Sequence, residues 1–496
     1  MKKRTFLTFS VSLLFAFSAG NAMADNNETF VLDPEAKAAA EEIIQLSKQD
    51  QNAKLMKWME FLENKKFKKQ RKDEKALTAW GNMFLKEGLY PEAEEMGRLA
   101  YEAKSTYLPA IMLHGNSLFE LKKLGDAAAK FEEAIAAFPN EKEAYLKTAD
   151  VYKYINPEHA LQVTSQYKEK FPNDPDINKT IGNIYYHENK IKEAIEAYDV
   201  YFKEVGDKAD FDAQEQYAIM LYAKKDYDKS LALVEKILPK SPDAISLNRL
   251  KFYNLMELMQ VQGAKAASET FFGKKYADTL YNATDYKYQG QLAEMIMDTA
   301  MMLSSFEKAA KLDPEKPEIL IGLSEAYEKV GNADKAVEIY QKYIEKNAKT
   351  KGDKLNGLIK EGKIYYGAAA DIQDSSKFDL RNRYVTEGDK LFEEVSKEAP
   401  ESFYGPFWRA RIQTILDPNN PIDAIKEQYD EAYKRMEGKD ESYNNERKEC
   451  LVYTAFYYFQ KDDHEKATEY SDKVLAIDPN NKLAQNIKNA IAQMKK

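Results

Sequence analysis

DPEKPEILIGLSEAYEKVGNADKAVEIYQKYIEK, residues 313–346, holds two apolar helical faces joined by one tight turn. Leu320, Leu323 and Tyr327 recur at i, i+3 and i+7, the stripe of one helix, and Ala336, Ile339, Tyr340 and Tyr343 mark the stripe of a second. Gly331-Asn332 falls between them, where a helix must stop and the chain reverse. Small residues, Ser324 and Ala336, sit where the two backbones come close. A hairpin of this kind cannot bury both faces alone, so it needs neighbours built like itself.

The rest of the chain supplies them with a period of about 34 residues. The small position of the first helix falls at Gly81, Gly115, Ala149, Gly182 and Ala218, then at Gly290, Ser324, Gly362, Ala410 and Ala455. Its second-helix partner falls at Ala93, Ala127, Ala160, Ala194, Ser230, Ala266, Ala336, Ala424 and Ala467. Pro139, Pro172, Pro242, Pro314, Pro400 and Pro479 close second helices, because proline cannot continue a helix interior. The unit between Ala244 and Phe272 is degenerate, with Asn254 at the small position and Ala266 as its anchor, and Met302 replaces a small residue in the next unit. A polar insertion of about fourteen residues, near 370–386, reads as a long loop.

These phased residues resemble the tetratricopeptide repeat family, in which a bulky residue, Leu-Gly, Tyr, Ala, Phe, Ala and Pro stand at fixed offsets. Ile111, Gly115, Leu118, Ala127, Phe131, Ala134 and Pro139 match it in one hairpin, and Leu77, Trp80, Gly81, Phe84 and Ala93 in the hairpin before. The resemblance implies an all-α, right-handed superhelical solenoid of tandem helix–turn–helix hairpins, about eleven repeats over residues 73–479. Residues 25–72 read as an N-terminal helical cap or worn repeat, with Leu55, Trp58, Met59, Phe61 and Leu62 among its apolar positions. Residues 480–496 read as a capping helix with Leu483, Ile487, Ile491 and Met494 on its covered face.

Residues 1–24 have the form of an export signal: Lys2-Lys3-Arg4, an apolar run from Phe6 to Phe17, and Ala22-Met23-Ala24 before a cleavage point at Asp25. The expected location is therefore periplasmic, soluble or held at the surface of an envelope membrane. Without that segment the chain has 70 Lys+Arg against 82 Asp+Glu, a net charge of −12, which argues against nucleic acid or an anionic membrane as its main partner. A single cysteine, Cys450, excludes an internal disulfide.

No HExxH, GxSxG, phosphate loop or CxxC is present, and the four histidines lie in different repeats, so neither enzyme nor cofactor is expected. Glu401-Ser402 and Glu441-Ser442 resemble the catalytic dipeptide of periplasmic lytic transglycosylases, but the rest of that signature is missing. Function must then lie on a surface. By the resemblance, exposed first-helix positions line a concave groove, and these include Asn82, Met112, Asn116, Phe119, Lys179, Asn183, Tyr186 and Tyr222. Asn82, Asn116 and Asn183 each follow the small residue, where the family often uses a carboxamide to bond an extended peptide backbone. The expected function is a non-catalytic envelope scaffold that binds protein or peptide segments; the alternative is a glycan-handling or polysaccharide-export component using exposed aromatics such as Tyr186 and Tyr222.

Overall fold

The computed structural model describes residues 32–494 except Lys275. The expected signal, residues 1–24, lies outside them. Among the described residues there are α-helices and short 3-10 turns and no strand. The described residues form two compact units, divided between Pro239 and Lys240.

The first unit contains α1 (Pro34–Ser47), α2 (Gln51–Glu63), α3 (Glu74–Lys86), α4 (Tyr90–Ala103), α5 (Leu108–Glu120), α6 (Leu124–Ala137), α7 (Lys142–Ile155), α8 (Pro157–Lys170), α9 (Asp176–His187), α10 (Ile191–Val205), α11 (Phe211–Ala223) and α12 (Tyr227–Ile237). The second contains α13 (Ile245–Glu257), α14 (Val261–Gly273), α15 (Ala283–Met295), α16 (Thr299–Leu312), α17 (Pro317–Lys329), α18 (Ala333–Asn347), α19 (Lys351–Asp371), α20 (Phe378–Glu398), α21 (Tyr404–Gln413), α22 (Asp423–Arg435), α23 (Asn444–Gln460), α24 (His464–Ile477) and α25 (Lys482–Met494). From α3 to α24 the helices pair as hairpins, each packed against the next hairpin of its unit. This is an all-α solenoid of tandem helical hairpins.

Close approach of the two helices explains the small residues. A Cβ on Gly115 would stand 2.6 Å from the Phe131 ring, one on Gly182 2.3 Å from Tyr198, and one on Gly290 2.7 Å from Phe306, all far inside van der Waals contact. The hairpin turns share a second device. After α3, α5, α9, α11, α13, α15, α17 and α23 the chain enters the left-handed region, at Gly88, Lys122, Asn189, Lys225, Met259, Met297, Gly331 and Asp462. The next amide then bonds back into the helix, as from Lys123 N to Leu118 O at 2.9 Å, which satisfies a carbonyl left over at the helix end.

Several expectations are corrected. The inserted residues near 370–386 do not form a loop; they lengthen α19 and α20. Gly115 lies five residues from the end of α5, but Gly362 lies nine from the end of α19, and α20 starts ten residues before its own small residue, Gly388. Ala368, Ile372, Leu380 and Tyr384 give the extension an apolar face, and Arg383 pairs with both Asp334 oxygens at 3.0 and 2.7 Å, tying it to α18. In the degenerate unit, Ala266 is exposed and Ala264 is buried at the contact; Phe252, not Asn254, holds the small position eight residues into α13. That ring packs beside Phe271, Phe272 and Tyr288, at 6.5, 6.2 and 6.3 Å between ring centres. Ala424 is likewise exposed and Ile425 takes its place, a slip of one residue after the long 414–422 connection. On the terminal elements, Leu55, Met59, Leu483 and Met494 are exposed, and the covered faces of these two helices are marked by Phe61 on α2 and by Ile487 and Ile491 on α25.

Candidate functional site

Within each unit, successive first helices touch directly, α3 on α5 and α7 on α9 in the first unit, α13 on α15 and α15 on α17 in the second. Second helices instead meet the first helix of the following hairpin. The first helices therefore form the inner side of each unit, and a side chain on their outer stripe repeats from hairpin to hairpin.

One such stripe in the first unit carries Asn82 on α3, Asn116 on α5, Asp150 on α7 and Asn183 on α9, each directly after its small residue. Asn82 is exposed and Asn116 half-buried, and neither carboxamide has a hydrogen-bond partner among the described residues. Asn183 differs: its Oδ1 accepts from the Tyr198 hydroxyl at 2.7 Å. Tyr198 is fully buried, and burial pushes its phenol well above the usual tyrosine value, so this hydroxyl is a permanent donor. Asp150 is paired with Lys153 one turn on. Burial would lower the Lys153 pKa, but the adjoining Asp150 outweighs it and raises it.

The other expected site residues separate. Met112 is buried in the core around Phe131 and reaches no partner. It occupies the position three before Gly115, which is covered within the cluster that α5, α6 and α7 share. Lys179 is not an unpaired cation: its Nζ lies 2.8 Å from Asp210 and 3.5 Å from Asp176, and 5.6 Å from the centre of the Tyr201 ring. Burial works against its charge, the Asp210 hydrogen bond restores it, and the pKa rises. It staples one repeat to the next. Tyr186 is half-buried, with its phenol pushed up by burial, and Tyr222 packs on Tyr227 at 5.4 Å between ring centres.

Phe119 belongs to an arrangement that sequence reasoning missed. Its ring is 6.0 Å from that of Tyr154, which is 4.7 Å from the His187 ring in edge contact, so α5, α7 and α9 share one aromatic row. Lys122 and Lys153 lie over Phe119 and Tyr154 at 5.5 and 4.9 Å. Burial, then Lys153, lowers the His187 pKa and keeps that ring neutral at pH 7. Tyr154 and His187 stand five residues after Ala149 and Gly182, one place beyond the position four after the small residue that Phe119, Tyr186 and Tyr222 occupy. The carboxamide stripe and the aromatic row can bond a peptide backbone and shelter apolar side chains respectively.

Glu401 is exposed beside α21 rather than at the base of a pocket, and no group of three metal-ligating side chains occurs among the described residues. No described helix is long and apolar enough to cross a membrane.

Three segments match family models described as tetratricopeptide repeat: residues 112–153, 298–355 and 455–481. No curated protein matches the chain. Among solved structures, the C-terminal part of a repeat-containing protein from Cytophaga hutchinsonii is 21% identical, with 55% of this chain and 98% of that one covered and a TM-score of 0.42. A tetratricopeptide repeat protein from Parabacteroides merdae is 17% identical over 51% and 98%, with a TM-score of 0.36. The Pseudomonas aeruginosa pilF protein is 15% identical over 43% and 94%, at 0.38. Each is a likeness and no more. The matched segments are thus tetratricopeptide repeats, and each lies within the series of helical hairpins described above.

Proposed function

We propose that this chain is a non-catalytic scaffold that holds an extended segment of a partner protein along the inner side of its first unit. Repeat arrays of this family are protein-interaction scaffolds, and the observation that supports the placement is the pair of unengaged carboxamides, Asn82 and Asn116, on neighbouring first helices. Each can donate to and accept from one peptide group, which suits backbone recognition without sequence dependence. The aromatic row of Phe119, Tyr154 and His187 beside them supplies contact area for partner side chains.

The export signal read in residues 1–24 supports a bacterial envelope setting, and amino-terminal sequencing of the protein recovered from the periplasm should then begin at Asp25. Tyr186 and Tyr222, which a glycan-handling role would use, are only half exposed.

The test is capture of partners from cross-linked cells. Asn82→Ala with Asn116→Ala is expected to weaken capture while leaving the melting temperature unchanged; undiminished capture would remove this assignment. Asn183 is unsuitable for the same test, because Asn183→Ala leaves the buried Tyr198 hydroxyl unpaired at a cost of about 1–3 kcal/mol.

A further inference from the structure

The chain is acidic as a whole, yet Lys65-Lys66-Phe67-Lys68-Lys69-Gln70-Arg71-Lys72 holds six cations in eight residues and no acid. Two 3-10 turns, Lys65–Phe67 and Gln70–Lys72, present this run, and the buried Phe67 pins it to the first core. Lys66 reaches Glu35 at 2.5 Å, and Arg71 donates to the Phe61 carbonyl at 3.0 Å. Lys65, Lys68, Lys69 and Lys72 are exposed and have no ion pair among the described residues; Glu63 before the run and Asp73 and Glu74 after it offset part of this charge.

An apolar stripe adjoins them. Leu55, Met59 and Leu62 lie at i, i+4 and i+7 on α2, with Met56 beside them, and Leu55, Met56 and Met59 are 52%, 74% and 57% exposed. At its end Leu62 joins Lys68, Arg71, Lys72, Glu95 and Leu99 around an open pocket of about 390 Å³.

We propose that this end of the chain docks on an anionic phospholipid surface, with Leu55, Met56 and Met59 entering the interfacial layer and the lysines meeting lipid phosphates. The partner follows from the chemistry. A helix with exposed apolar residues flanked by cations lies in a membrane interface. Five of the six cations are lysines, point charges on flexible stems that suit a fluid array of phosphates, whereas a fixed carboxylate on a protein favours the planar fork of arginine. Methionine adapts to an irregular apolar layer. The acidity of the remaining chain does not cancel this, because charge beyond about 8–10 Å is screened at physiological salt.

The experiment is sedimentation of the chain from Asp25 onward, which holds every described residue, with vesicles of phosphatidylcholine alone or with about a third phosphatidylglycerol. Binding is expected to the anionic vesicles only and to fall with salt. Changing Lys65, Lys68, Lys69 and Lys72 together to Gln should weaken it at least a hundredfold, on the basis of roughly fivefold per cation. Met56→Gln with Met59→Gln should weaken it without changing its salt dependence, and unaltered far-UV ellipticity and melting will show that both variants fold. Equal binding to neutral vesicles, or full retention by the lysine variant, overturns the proposal. Failure to bind anionic vesicles, with capture of a poly-glutamate peptide lost in the lysine variant, overturns it in favour of an acidic protein segment. Asn82→Ala with Asn116→Ala should leave vesicle binding unchanged.

Discussion

Glu361 on α19 is a carboxyl buried among α18, α19 and α20, with Gln341 Nε2 at 3.1 Å as its hydrogen-bond donor. Burial raises its pKa to about 6, outweighing Gln341, and Glu394 adds repulsion. Its folded value lies above the ordinary 4.5, so the native state holds the proton more tightly than the unfolded chain. Stability is therefore highest below pH 4.5 as far as this group is concerned and declines as pH rises to about 6, with the ionisation cost fully present at neutral pH. Glu361→Gln keeps an acceptor for Gln341 and removes the titration. Denaturation followed across pH should lose that decline and show a gain of about 1–2 kcal/mol at pH 7. The repeat register legible in the sequence places Glu361 next to Gly362 and hence near a helix crossing. That no cation faces it depends on α18 and α20, whose relation to α19 only the packing reveals.

At the scale of elements, the hairpin turns carry a cost that glycine would relieve. Six of the left-handed turn residues are not glycine, and Met297, at φ +59 and 88% exposed, touches little else. An L side chain in that region costs about 1–2 kcal/mol, part of which glycine returns through its own freedom in the unfolded chain. Met297→Gly should raise stability by about 0.5–1 kcal/mol in urea melts, and Gly331→Met should lower it. The hairpins themselves were readable because small residues, stripes and prolines are phased along the chain. Two kinds of element were not. Ala266 and Ala424 looked right as small residues but lie a place or two from the crossing, where Ala264 and Ile425 are buried, because connection length sets phase and the pattern does not report it. The segment 370–386 looked polar enough for a loop, yet a two-sided helix with Leu380, Tyr384 and Val385 inward has the same composition. Met112 fell to the same cause as Tyr154: offsets from the small residue give a face only to within about one residue, some 100° of helix.

Across the whole molecule, contacts are between neighbours, so stability is close to a sum of hairpin terms and nearest-neighbour interfaces. Two compact units, each with its own buried clusters, are then expected to lose structure separately. Tryptophans report on this: Trp58 and Trp80 lie in the first unit and Trp408 in the second. In Trp408→Phe, fluorescence follows the first unit alone while far-UV ellipticity follows every helix. The two denaturation curves should not coincide; coincident curves would mean one cooperative block.

Asn183 joins two of these scales. Its oxygen secures the Tyr198 hydroxyl under the repeat, while its amide nitrogen has no partner among the described residues and stays on the side where Asn82 and Asn116 are unengaged. A change in what the inner face must grip can be met by Asn82 or Asn116 at no cost to folding, whereas Asn183 cannot drift unless Tyr198 drifts with it. Attempts to redirect the scaffold to a new ligand should therefore randomise the first two positions and hold the third fixed, since most members of a library open at all three would carry the penalty of about 1–3 kcal/mol for an unpaired Tyr198 hydroxyl.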